Sequence, residues 1–218
     1  MDLAAFLAKI SEYAIPVLFA ITLHEVAHGW TARYFGDRTA ELLGRLSLNP
    51  LRHIDPIGTV LVPGLMLAIG GPLFGWAKPV PVATSALRNP RRAMIVVALA
   101  GPAANLLMAA LWCVALGAIL RVHGNQTLVG WIAYMAQAGI MINVILAVFN
   151  LLPIPPLDGG RVLSGLLPPR LSTRLDKLEP VGLVLVLGLA VFGLFGWLLD
   201  PALRVVGRII NSLFGSPA

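Results

Sequence analysis

Four stretches of this chain are apolar with few interruptions, and short polar segments rich in proline and glycine separate them. Residues 93–120 and 180–199 contain no Asp, Glu, Lys or Arg. Each is long enough to cross about 30 Å of hydrocarbon as a helix. Residues 128–152, LVGWIAYMAQAGIMINVILAVFNLL, are also uncharged, and their Asn, Gln and Gly are tolerable where a helix faces other helices rather than lipid. Residues 13–32, YAIPVLFAITLHEVAHGWTA, form a fourth span that carries two histidines and a glutamate. The pattern predicts an all-α polytopic membrane protein, a single domain over 1–218 with transmembrane helices at 13–33, two more in 93–152 and another at 180–199.

The intervening segments are read differently. Residues 56–77 are uncharged, but Pro63, Gly64, Gly70, Gly71 and Pro72 interrupt them, which predicts a re-entrant segment rather than a full crossing. RLSL at 45–48 alternates polar with apolar, and AKPVPVA at 77–83 is extended by composition. Short membrane-associated β-strands are therefore expected at 45–48 and 79–82, the second confined to an edge by its alternate prolines. Segment 2–11 reads as a short interfacial helix, and 200–215 as an amphipathic one with Arg204 and Arg208 four apart. The helix over 130–152 should end near Pro153.

Composition supports the bilayer as solvent. With 58% hydrophobic and 12% charged residues, a water-soluble domain would lack the polar side chains to cover its surface. The net charge of +6 is spread between apolar spans without a basic-aromatic array, which argues against a nucleic-acid partner. Three clusters (Arg33, Arg38, Arg45, Arg52; Lys78, Arg88, Arg91, Arg92; Arg161, Arg170, Arg174, Lys177) instead report topology and should be cytoplasmic, leaving Arg121 in an outward connection at 121–127. Asp2 ahead of Lys9 does not fit a cleavable secretory signal. The single Cys113 lies in an apolar run, so neither a disulfide framework nor a cysteine metal site is expected.

The chemistry concentrates in two places. His24-Glu25-Val26-Ala27-His28 is H-E-x-x-H, and on a helix two imidazoles four apart share a face while the glutamate reaches water at the metal they hold. Ionisable residues are costly inside a span, which weighs against a packed polar cluster without metal. A catalytic zinc normally takes three protein ligands. Asp158 is the candidate for the third, because it follows an apolar helix through the break PIPPL and precedes Gly159-Gly160; an Asp-Gly turn is the competing reading. Asp55, Asp176 and Asp200 sit in ordinary boundary settings, and His53 beside Arg52 reads as an interfacial histidine. Two crossings between His28 and Asp158 return the chain to the side it left, so the ligands can meet.

Three stretches, FAITLHEVAHGWTARYFGD at 19–37, AGPAANL at 100–106 and FNLLPIPPLDGGRV at 149–162, closely resemble the site-2 protease family of intramembrane zinc metalloproteases. The resemblance implies Zn2+ as cofactor, with His24, His28 and Asp158 as metal ligands and Glu25 as general base. Asn150 matches the leading asparagine of N-x-x-P-x-x-x-x-D-G, and Gly101, Pro102 and Asn105 match G-P-x-x-N. Asn150 is then a candidate to orient substrate or stabilise an oxyanion, against a role in satisfying backbone at the helix break. Asn105 is expected to brace the metal-bearing helix. The implied activity is hydrolysis of peptide bonds within or near transmembrane segments of other membrane proteins, with that substrate and the lipid bilayer as partners and no nucleic acid. The expected location is a prokaryotic inner or plasma membrane with the site toward the cytoplasm. The stretches fit the short form of the family, without a PDZ or other regulatory domain. A catalytically inactive membrane chaperone that keeps the metal-bound scaffold is the alternative. A metal transporter would want several acidic or histidine sites along a path, where this chain offers one compact set.

Overall fold

The computed structural model describes residues 3–62, 65, 75–191 and 194–214. Helix α1 runs over Leu3–Tyr34 with Pro16 inside it, and the separate short helix expected near 2–11 is continuous with it from Leu3. Gly36 ends α1 at φ 107°, a left-handed conformation that only glycine adopts at no steric cost. There Gly36 N–H bonds Arg33 O at 3.0 Å and Asp37 N–H bonds Ala32 O at 3.0 Å, which satisfies two of the free carbonyls at the end of the helix. A single turn, α2 (Thr39–Leu42), follows.

Two long helices come next, α3 (Pro90–Ile119) and α4 (Gln126–Asn150). Pro90 sits in the first turn of α3, where its missing N–H costs nothing. Asn125 caps α4 by accepting from the amides of Thr127 and Leu128. Over its first twenty residues the buried positions of α3 include Ala93, Val97, Gly101, Asn105 and Ala109, one residue every four and none large. Such a face lets helices approach closely, and α1, α3 and α4 pack against one another as a three-helix core. The short helices α5 (Asp158–Leu166) and α6 (Pro169–Asp176) lie beyond the end of α4, with α5 against α3. Helices α7 (Glu179–Val191) and α8 (Leu194–Phe214) complete the described chain. Val206, Ile210 and Phe214 of α8 pack on Leu116, Ala133, Ala136 and Ile140.

Helices α3 and α4 are long and apolar enough to cross a membrane. Many of their large side chains are exposed, Leu106, Leu107, Leu111 and Val114 on α3 and Leu128, Tyr134 and Met141 on α4. Water would oppose such a surface and hydrocarbon accepts it, so the chain is an integral membrane protein.

The short β-strands expected at 45–48 and 79–82 do not form, and the described residues contain no strand. The physical reason is the supply of donors. Pro79 and Pro81 have no N–H, so the edge of 79–82 that they face offers no donors, and on the other edge the Val80 N–H is taken by Glu25. The segment has no regular secondary structure and is tied down largely by side chains. The fold is therefore all-α among the described residues.

Half of the re-entrant segment expected over 56–77, residues 63–64 and 66–74, lies outside the described residues. Its described beginning, Pro56–Leu61, is a π-helical turn capped by Asp55. The two ends of the segment meet: Trp76 N–H bonds Gly58 O at 3.0 Å, and Thr59 Oγ1 donates to Trp76 O at 2.8 Å. The span expected at 180–199 is described as parts of α7 and α8, with residues 192–193 outside the described set.

Candidate metal centre

Helix α1 carries His24 and His28 one turn apart, and each ring is fixed at Nδ1. Nδ1 of His28 donates to the carbonyl of Val97 at 2.7 Å. Nδ1 of His24 lies 2.6 Å from Oδ1 of Asn105. That oxygen is identified by the opposite side of the amide, where Asn105 Nδ2 donates to Ala20 O at 3.2 Å and to Asn143 Oδ1 at 2.9 Å. Asn143 in turn donates to Gly139 O at 2.8 Å. This network assigns the proton of each neutral imidazole to Nδ1 and leaves both Nε2 atoms as bare lone pairs.

The lone pairs converge on a carboxylate. The two Nε2 atoms are 3.0 Å apart, and Oδ2 of Asp158 lies 3.2 Å from one and 3.3 Å from the other. All three residues are buried, and Oδ2 has no hydrogen-bond partner. Three acceptors at this spacing with no proton between them are unfavourable unless a cation sits among them. Ligands about 2.0–2.1 Å from a tetrahedral zinc stand about 3.3 Å from one another, close to the observed separations. The residues fit the ion, and the hydrogen bonds at Nδ1 are the outer contacts that orient metal-bound histidines.

Glycines make the convergence possible. A Cβ at Gly101 would overlap Nε2 of His28 and, at 2.6 Å, Nε2 of His24. Position 101 therefore admits no side chain while the two rings face α3. Asp158 opens α5, where the positive end of the helix favours its charge. Gly159 and Gly160 press against the backbone at 151–155; a Cβ on Gly160 would come 2.5 Å from Pro155 N, and one on Gly159 would overlap the Leu151 carbonyl. The glycine pair thus lets the first turn of α5 fold back beneath the end of α4.

Glu25 is half-buried beside His24, and its Oε2 accepts the backbone N–H of Val80 at 2.7 Å. Asn150 is the last residue of α4, and its amide bonds the Leu146 carbonyl of its own helix at 2.9 Å. The structure thus brings His24, His28 and Asp158 to one point with Glu25 adjoining, while Asn150 is engaged with helix backbone. His53, expected at the interface, is buried instead, with Nε2 donating to Ser47 O at 2.8 Å. Among the described residues, His24, His28 and Asp158 form the only group of His, Cys, Asp or Glu able to hold a metal. Two participants were missed by the sequence reading. Asn143 had a signal, a second asparagine in an apolar span where an unpaired amide is costly. The amide of Val80 had none.

Two imidazole lone pairs and a carboxylate, buried between apolar helices with the carboxylate of Glu25 adjoining, define a membrane-embedded metal-dependent hydrolase. Comparison with known proteins agrees. Residues 114–191 match peptidase family M50. YwhC of Bacillus subtilis (strain 168), named as a candidate zinc metalloprotease, is 37% identical over 213 residues, covering 96% of this chain and 94% of its own length. Rip2 of Mycolicibacterium smegmatis (strain ATCC 700084 / mc(2)155), named likewise, is 35% identical over 176 residues, 80% of this chain and 64% of that protein. Rip2 of Mycobacterium tuberculosis (strain ATCC 25618 / H37Rv) is 33% identical over 191 residues, 84% of this chain and 71% of that protein. No solved structure matches. The chain belongs to the M50 family of zinc metalloproteases, the site-2 proteases.

Proposed function

We propose that this zinc metalloprotease holds its metal with His24, His28 and Asp158, uses Glu25 as general base, and cuts peptide bonds within or near transmembrane segments of other membrane proteins. The observation that supports this reading most is the buried meeting of two Nε2 lone pairs with Asp158 Oδ2 beside Glu25. When bound, zinc supplies a Lewis acid that polarises the scissile carbonyl and makes water acidic enough to attack. Glu25 takes one proton from the attacking water as the C–O bond forms. It then delivers that proton to the departing nitrogen as the C–N bond breaks, so one water is consumed and Glu25 ends as it began. Asn150 is assigned as donor to the developing oxyanion through the second N–H of its amide, the first being bonded to the Leu146 carbonyl. A helical substrate hides its peptide bonds in intrahelical hydrogen bonds, so local unwinding must precede attack.

The test is cleavage of a transmembrane-segment peptide by purified protein in proteoliposomes, comparing wild type with Glu25→Gln. The variant should bind zinc normally and lose turnover; equal cleavage by both would remove Glu25 from the mechanism. The basic clusters further support a site facing the cytoplasm. In a Cys113→Ala background, a cysteine at Asn125 should react with an impermeant thiol reagent on intact cells while one at Arg88 should not. The reverse pattern would invert the orientation.

A further inference from the structure

The carboxylate of Glu25 does not hang free. Its Oε2 is held at 2.7 Å by the backbone N–H of Val80, 55 residues away in the sequence, and the chain around that amide is built to present it. Pro79 and Pro81 flank Val80, so residues 79–81 contain a single N–H and Glu25 can be met in one register alone. The segment is pinned on both sides. Lys78 N–H bonds His53 O at 2.9 Å, Arg45 Nη2 donates to Lys78 O at 2.8 Å, and Ala83 N–H bonds Asp37 Oδ2 at 2.7 Å. Val80 itself is buried against α1, where a Cβ on Gly29 would come within 2.9 Å of its Cγ1.

We propose that the Val80 amide is the positioning group for Glu25: it anchors Oε2 and leaves Oε1 as the oxygen that receives the proton. This rests on the reading of Glu25 as the base. A glutamate on a helix has several rotamers, and an anchored oxygen removes the freedom to swing away from the metal ligands. Pre-organisation of this kind affects turnover rather than substrate affinity or metal binding.

The test removes one atom pair. Suppression at codon 80 with the α-hydroxy analogue of valine replaces the N–H by an ester oxygen, and reinsertion of valine at the same codon restores it. With a transmembrane peptide in proteoliposomes, the ester should lower kcat roughly 10- to 100-fold, the loss expected for one hydrogen bond to a charge. KM and zinc content should stay at wild-type values, the valine reinsertion should recover kcat, and the same ester at Val82 should leave kcat unchanged. Val80→Pro, which also lacks the N–H, should match the Val80 ester. Unchanged kcat in the Val80 ester, a change confined to KM, loss of zinc, or an equal loss from the Val82 ester would each overturn the proposal. Glu25→Gln run alongside separates the two readings. An inactive Glu25→Gln with a fully active Val80 ester defeats the positioning role alone, whereas a fully active Glu25→Gln defeats the assignment of the base.

Discussion

The metal centre and the juxtamembrane chain over 35–59 and 75–89 lie side by side and are held by different means. At the metal centre, polar groups sit on helices and close a buried network from Gly139 through Asn143 and Asn105 to His24. The helices meet across alanine and glycine, with no slack at Gly101. In the juxtamembrane chain, much of the fold depends on side chains reaching distant backbone: Asp37 to Ala83, Arg45 to Lys78, and Glu25 to Val80. The first region is fixed by packing and fails if one atom is added. The second is fixed by a handful of polar contacts and loosens one contact at a time. Damage to the core should therefore appear as lost metal, and damage to the loops as changed turnover or stability with metal retained.

The largest effect expected short of removing a ligand is that of Gly101→Ala, whose methyl group overlaps the two ligand nitrogens. Its zinc content after purification should fall well below wild type. Asn105→Ala leaves room but frees His24 Nδ1, and its zinc affinity, read by competition with a chelator, should drop about 10- to 100-fold. Normal zinc affinity in both variants would mean that packing does not set the site.

A smaller effect is expected at Asp37. Burial raises the pKa of its carboxyl, but hydrogen bonds from the Thr39 hydroxyl, the Thr39 amide and the Ala83 amide outweigh it and leave the pKa lowered. A lowered folded pKa means that the stabilisation is complete above the ordinary carboxylate value of about 4 and is lost as pH falls through the folded value. Asp37→Asn should melt below wild type at pH 7 with zinc retained, and the gap in Tm should close as pH drops below about 4. A gap that persists unchanged into acid would assign the effect to shape rather than charge.

The same contrast governs what was legible in the sequence. H-E-x-x-H needs only the helical repeat to place two imidazoles on one face, so the pattern and its apolar setting were enough to read. The aspartate ahead of two glycines was equally visible, and the structure shows why glycine follows it. Asn105 could be seen as a brace, but its pairing with Asn143 depends on the rotation of α3 against α4, which no single-helix pattern records. In the loops, alternation at 45–48 and the composition of 77–83 suggested strands, yet Pro79 and Pro81 leave one edge of the second segment without donors and the Val80 N–H goes to Glu25 instead of a neighbouring strand. His53 was read from its neighbour Arg52 and is buried instead, because its ring and carbonyl join Ser47 to Lys78. Contacts between residues 33 to 55 positions apart leave no local periodicity to read.

The central claim is that one zinc held by His24, His28 and Asp158 makes this chain a protease. The direct measurement is cleavage of a transmembrane-segment peptide by protein stripped with a chelator, followed as zinc is added back. Stripped wild type should be inactive and should recover fully at equimolar zinc, while Asp158→Asn should stay inactive and Asp176→Asn should recover as wild type does. Full cleavage by the stripped protein, or full recovery of Asp158→Asn at equimolar zinc, would contradict the account.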